Sequence, residues 1–394
     1  MTEKQKKSAL GIMVLAILFV SVNLRPAISS IGPLLDTIRD DLSLTNSEVS
    51  LLTAVPVFCM GLFAPLAVVF NKKLGLKRSI AILVGAIGVF TLLRGILPTF
   101  PVLLISAFFI GMSIAIISPL LSAMIKRNFP TRTASLIGVY SFGMGLGATM
   151  AAGLTGVFYS IAGWPIALAS WGLLAIAAIV LWLRVKEPAA EVGDIPMERV
   201  ATVSPWKTRR AWYMLLFFGF QSALFFSIIT WLAPIAIEKG MSILVAGAVL
   251  TVMSTVQIAC NLSIPLLLAK WPSRHLWIMV SLGFGALGVL LLMFADAVFI
   301  WPAAICLGIT LGGLFPLALL MPLDENTSPD DVNSWSAMIQ SGGYIISAVT
   351  PFAIGLFYDR FQNHTISLSL FLGFIVILTV FAFLLNKKPD AINE

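Results

Sequence analysis

Charge is what this 394-residue chain has least of. Asp, Glu, Lys and Arg together make up 11%, where a soluble domain carries about 25%. So few charges cannot cover a water-exposed surface, which excludes a soluble globular protein. Cysteine is scarce too: Cys59, Cys260 and Cys306 all sit in apolar runs with no CxxC pair. That excludes a disulfide framework. There are two histidines, His275 and His364, both in polar breaks. The patterns GxxxxGK[ST], HExxH and GxSxG are missing, and Gly143-x-Gly145-x-Gly147 lies inside an apolar run with no strand before it. No enzyme, metal or cofactor is therefore expected. The apolar–polar alternation of a membrane β-barrel is also lacking.

What is there is apolar: 59% of residues are hydrophobic and the mean hydropathy is +1.00. Breaks at charged clusters and at Pro or Gly leave twelve segments. Their limits are 9–35, 47–70, 79–97, 102–125, 134–159, 165–183, 212–237, 243–269, 276–295, 298–322, 333–357 and 366–385, called spans 1 to 12 below. About 20 residues rising 1.5 Å each cross a hydrocarbon core of about 30 Å, so each segment is long enough for one crossing. The first follows Lys4, Lys6 and Lys7 but is too long for a signal peptide and has no convincing cleavage site, so it reads as an uncleaved helix. The expectation is an all-α membrane protein with twelve transmembrane helices.

The net charge of +7 reflects topology rather than nucleic acid. With the N-terminus in the cytoplasm, twenty of the 25 Lys and Arg fall in cytoplasmic pieces. Only Arg39, Lys239 and Arg360 fall outside, while Arg25 and Arg94 lie within spans. This bias places both termini in the cytoplasm.

The longest polar stretch, 185–211, divides the chain into residues 1–184 and 212–394, six spans each. The halves share Gly111 to Pro119 and Gly308 to Pro316, Gly156-Val-Phe-Tyr159 and Gly355-Leu-Phe-Tyr358, and Pro65 and Pro265, all at nearly one offset. These matches argue for a duplicated six-helix unit, hence two pseudo-symmetric bundles. With the basic stretch between spans 2 and 3, the chain resembles the major facilitator superfamily over essentially its whole length. Asn23-Leu24-Arg25-Pro26, Gly32-Pro33-Leu34-Leu35, Lys126-Arg127-x-Phe129-Pro130 and Gly313-Leu314-Phe315-Pro316-Leu317 resemble its cyanate-permease / 2-nitroimidazole-transporter family. Lys72 stands where the superfamily's loop motif expects an acid. The resemblance implies a major facilitator fold, rocking of spans 5 and 11 against the opposite half, and a small anion or polar heterocycle as substrate.

Ionisable groups are costly at mid-membrane. All 18 acids lie in breaks or near span ends, so a simple carboxylate proton relay is not supported. Facilitated diffusion, exchange or coupling through the substrate's own protonation fits better. Arg25 is deep in span 1, and Asp36, the nearest acid on that span, lies roughly 16 Å along a helix. Arg25 is thus expected to face a wet cavity and anchor a substrate, the alternative being a structural Arg bonded to carbonyls near Pro26. Arg94, near the end of span 3, is expected to be structural and able to snorkel.

Helical spacing gives polar stripes: Val22, Arg25, Ser29 and Gly32, with Asn23 beside them; Gln221, Ile228 and Trp231; Ser254, Gln257 and Asn261; Ser336, Gln340, Tyr344 and Ser347. Pro33 and Pro234 are expected at bends near the outer ends of spans 1 and 7. The expected substrate site is Arg25 as anchor, Asn23, Gln221, Gln257, Asn261, Gln340 and Tyr344 as hydrogen-bonding groups, and Trp231 as a stacking wall. The whole reads as a monomeric secondary transporter in the cell inner membrane, binding a small molecule and no nucleic acid. A proton-driven exporter with Arg25 structural is the alternative, and a non-transporting sensor is less favoured because no appended domain is seen.

Overall fold

A computed structural model describes residues 3–128, 133–185, 204–325 and 329–386, with side chains left undescribed at 3–10, 126–128, 133–135, 265, 323 and 329–333. Most of the 185–211 linker, Phe129 and Pro130 lie outside the described residues, as do Lys387 and Lys388. The side chains of Lys4, Lys6, Lys7, Lys126 and Arg127 are likewise outside the description.

Among the described residues the chain is helical, with eleven continuous stretches long and apolar enough to cross a membrane. Twelve spans are recovered because one stretch, Leu136–Arg184, is 49 residues long, about 70 Å of helix and far more than one crossing needs. The sequence breaks it between 159 and 165. The chain turns at Gly163, whose φ of 78° and ψ of 170° break the helix, a conformation open to glycine at little cost. Spans 5 and 6 therefore lie on either side of Gly163.

Span 1 is not the continuous helix its hydropathy implies. It runs Glu3–Asn23, breaks, and resumes as Pro26–Ser29, a 3₁₀ turn Gly32–Leu34, and Leu35–Asp41. Pro26 has no N–H to return to the Val22 carbonyl, and a residue before proline is pushed away from helical geometry. Spacing carried straight through this break does not describe one face, which corrects the Val22, Arg25, Ser29 and Gly32 stripe. Span 5 exploits the break: a Cβ at Gly147 would stand 2.2 Å from the Val22 carbonyl oxygen, so only glycine allows this approach. Span 2 likewise divides into Asn46–Phe63 and Leu66–Leu74 around Pro65. Pro33 falls in the 3₁₀ turn, whereas Pro234 lies inside the unbroken helix Arg209–Glu238.

Two apolar cores result. One gathers Ile17, Leu24, Ile80, Ile114 and Trp182 of spans 1, 3, 4 and 6; the other is built mainly from spans 7 to 12. Spans 2 and 11, and spans 5 and 8, pack across the seam between the two sets of six.

The two ends of the bundle differ in chemistry. At the basic end Lys77 donates to the Leu183 carbonyl (3.2 Å), Arg210 pairs with Glu325 (2.6 Å) and Arg274 pairs with Asp324. At the opposite end one carboxylate crosses the seam. Asp359 of span 11 accepts from the backbone N–H of Asn46 (2.8 Å) and Ser47 (2.8 Å) and from the Asn46 side chain (2.9 Å). It thereby satisfies free N–H groups at the start of span 2. Arg39 ties Asn46 (2.9 Å) to Asp36 (2.9 Å). Deeper in, Thr230 donates to Thr53 (3.1 Å).

His364, in the turn between spans 11 and 12, is buried beside Tyr358 and Trp231, 3.4 Å from Glu238. Burial, and secondarily the Arg39 charge, push its pKa down to about 3. The folded chain thus resists a proton that the unfolded chain accepts near pH 6.5. This contribution to stability is complete above that pH and declines as pH falls towards the folded value. Between pH 7.5 and pH 5 the wild type should lose about 2 kcal/mol through this residue. Thermal midpoints at the two pH values should show a smaller acid loss in His364→Gln; an equal loss in both proteins would contradict this.

Candidate substrate site

The break at Pro26 delivers Arg25 to the middle of the molecule. Its backbone (φ −116°, ψ −34°) precedes the short helix Pro26–Ser29, and its carbonyl accepts from Ile28 and Ser29 at 3.0 and 2.9 Å. The side chain lines a cavity that is open in part to solvent. Spans 1 and 5 wall it on one side, and spans 7, 8, 10 and 11 on the other. Arg25 is the sole charged residue in this wall among the described residues.

Five of the sequence-derived residues meet here: Arg25, Gln221, Gln257, Asn261 and Tyr344. Ser254, which shares a stripe with Gln257 and Asn261, joins them. The Gln221 amide donates to the Ser222 hydroxyl at 2.8 Å. The Asn261 amide oxygen is buried without a hydrogen-bond partner among the described residues. The Tyr140 and Tyr344 hydroxyls both lie within the field of the Arg25 charge.

Three residues are placed elsewhere. Asn23 precedes the break and turns the other way, donating to the carbonyls of Phe19 (2.9 Å) and Leu174 (3.1 Å), so it fastens span 1 to span 6. Trp231 is fully buried, with its indole N–H on the Pro351 carbonyl (3.2 Å) and its ring against Tyr358 and His364. Ten residues beyond Gln221, it stands about 15 Å further along the helix. Gln340 is half-buried one turn from Tyr344 towards the basic end, outside the cavity wall.

Phe225 and Phe226 line the cavity and were missed by the polar stripes. Their rings lie 5.6 and 5.8 Å from the Arg25 guanidinium carbon, within cation–π range. Phe225 is four residues from Gln221, so helical spacing already placed it on the same face. Ser141, Met144, Gly145 and Ala148 of span 5 were also missed, since small and apolar residues in a membrane helix carry no distinguishing signal.

The two intramembrane arginines differ in kind. Arg94 is 1% exposed, and it donates to Ser106 (2.8 Å) and to the Ala27 carbonyl (2.7 Å). It does not snorkel. It takes up a carbonyl beside the Pro26 break, the structural role that sequence reasoning had allowed for Arg25. The Arg25 side chain has no hydrogen bond or ion pair among the described residues, and its guanidinium lies near two phenyl rings.

The wider comparisons agree with this architecture. Residues 12–347 match the Major Facilitator Superfamily. The chain belongs to this superfamily. It is 33% identical to the cyanate transport protein CynX of Escherichia coli (strain K12), over 89% of this chain and 91% of that protein. It is 30% identical to the 2-nitroimidazole transporter of the same organism, over 91% of each. The crystal structure of a D-xylose-proton symporter superposes with a TM-score of 0.78 at 12% identity, covering 96% of this chain and 97% of that one. This superfamily member is a multi-pass membrane protein and a secondary transporter of small solutes, not an enzyme.

Arg94→Leu should remove charge-assisted hydrogen bonds worth about 1.5–3 kcal/mol each. The thermal midpoint in detergent should fall, while ligand affinity of the folded fraction stays within about twofold, because Arg94 is outside the cavity. A wild-type midpoint would contradict the structural assignment.

Proposed function

We propose that this transporter moves a small anionic or polar solute by alternating access about the central cavity, with Arg25 as its anchor. The observation that carries the reading is the state of the guanidinium: central, charged and unpaired among the described residues, whereas Arg94 is held by Ser106 and the Ala27 carbonyl. A half-buried cation at mid-membrane without a counter-charge is costly, and a bound anion offsets that cost. The planar fork suits a carboxylate-like or similarly flat group. Gln221, Gln257, Asn261 and Tyr344 supply neutral hydrogen-bonding groups around it.

The moving bodies are residues 1–184 and 212–394, joined by the 185–211 linker. The basic end faces the cytoplasm, with both termini there, and the protein acts as a monomer in the cell inner membrane. The polar bonds across the seam support an inward-open state: Asp359 with Asn46 and Ser47, and Thr230 with Thr53, close the end opposite the basic one. Because relatives are named for cyanate and 2-nitroimidazole, these are the first substrates to assay.

In proteoliposomes Arg25→Ala should lower uptake roughly 10- to 100-fold, the equivalent of about 1.5–3 kcal/mol for a charged hydrogen bond. Arg25→Lys keeps the charge but loses the fork, so an intermediate rate is expected. Wild-type uptake by Arg25→Ala would overturn the anchoring role.

A further inference from the structure

Phe225 and Phe226 supply none of the hydrogen bonds proposed for the substrate, yet both rings lie within 6 Å of the Arg25 guanidinium carbon. They are neighbours on span 7, with ring centroids 5.0 Å apart and planes at 79°. Both line the cavity, and both rings approach the guanidinium carbon within 6 Å. Phe226 continues to Tyr344 at 6.3 Å, and Tyr344 meets Phe218 edge-on at 5.3 Å. The cation comes from span 1, and every one of these rings comes from spans 7 and 11.

The consequence is electrostatic. An anion that reaches Arg25 must shed water on the side where the rings stand, and phenyl rings offer no strong donor in exchange. The cost of shedding water rises steeply with charge and with charge density. One arginine can neutralise one negative charge. The amides of Gln221, Gln257 and Asn261 can donate hydrogen bonds but cannot balance a second charge, and no other cation lines the cavity among the described residues. A dianion would enter with a charge uncompensated, and a compact monoanion would lose more hydration than a diffuse one.

We infer that Phe225 and Phe226 determine specificity at this site, restricting Arg25 to weakly hydrated monoanions and rejecting compact or doubly charged ones. This rests on Arg25 being the anchor. The rings have two separable effects. Their faces hold the guanidinium in the empty cavity, and their apolar bulk raises the cost of hydrated anions. Leucine removes the first effect and keeps the second; asparagine removes both.

The test is isothermal titration of purified full-length protein with the sodium salts of thiocyanate, nitrate, chloride and sulfate. The wild type should bind thiocyanate roughly tenfold or more tighter than chloride, with sulfate weakest. Phe225→Leu and Phe226→Leu should keep that order while each affinity falls roughly two- to tenfold. The double variant Phe225→Asn, Phe226→Asn should compress the thiocyanate-to-chloride ratio to within about threefold. Phe225→Asn alone, at the half-buried position, carries the same comparison if the double variant does not fold.

Sulfate bound as tightly as thiocyanate by the wild type would overturn the inference. So would an unchanged ratio in asparagine variants that keep a wild-type thermal midpoint. Arg25→Ala separates the two claims. If it binds the anions normally, or if the wild type binds none of them, the anchor reading itself falls. If Arg25→Ala loses binding but the asparagine variants keep the order, only the role of the rings falls.

Discussion

An unpaired guanidinium in the middle of an apolar bundle is the constraint around which this molecule is arranged. Placing an arginine at mid-membrane costs about 2.5–3.5 kcal/mol on insertion scales. The neighbouring proline sets its position. By interrupting span 1, Pro26 opens the helix at Leu24-Arg25 and frees backbone groups on both sides of the break. Around the break Gly147 packs against the Val22 carbonyl, Arg94 donates to the Ala27 carbonyl, and the Asn23 side chain donates to the Leu174 carbonyl. From this break the Arg25 side chain faces the central cavity.

The same break explains how the two sets of six helices meet. Span 1 no longer runs straight, so its later segment lies along span 7, where Phe225 and Phe226 face the arginine. Further along, the seam is closed by Thr53 with Thr230 and by Asp359 on the start of span 2. Charge pairs at the basic end stay within spans 7 to 12 among the described residues.

The helical spans were readable because hydropathy reports directly on what lipid excludes. The Gly and Pro breaks divided the 49-residue run into spans 134–159 and 165–183, and the turn at Gly163 falls between them. In the site, residues close in sequence on unbroken helix were placed well: Gln257 and Asn261 share the cavity as their spacing requires. Trp231 failed because a shared face does not mean a shared depth, and Asn23 failed because the helix ends between it and Arg25. Phe225 and Phe226 were overlooked because phenylalanine in an apolar run looks like core. The physical clue was the arginine itself, since a lone cation in such surroundings calls for an aromatic face.

The central claim is that Arg25 contacts the transported solute. Anomalous X-ray scattering from crystals of the full-length transporter soaked in selenocyanate tests this most directly, because selenium marks the anion without reference to activity. The account requires a selenium peak inside the central cavity, with the anion within hydrogen-bonding distance of the Arg25 guanidinium and in contact with the Phe225 or Phe226 ring. It also requires that peak to vanish in Arg25→Ala. A strong peak elsewhere with the cavity empty, or an undiminished cavity peak in Arg25→Ala, would contradict it.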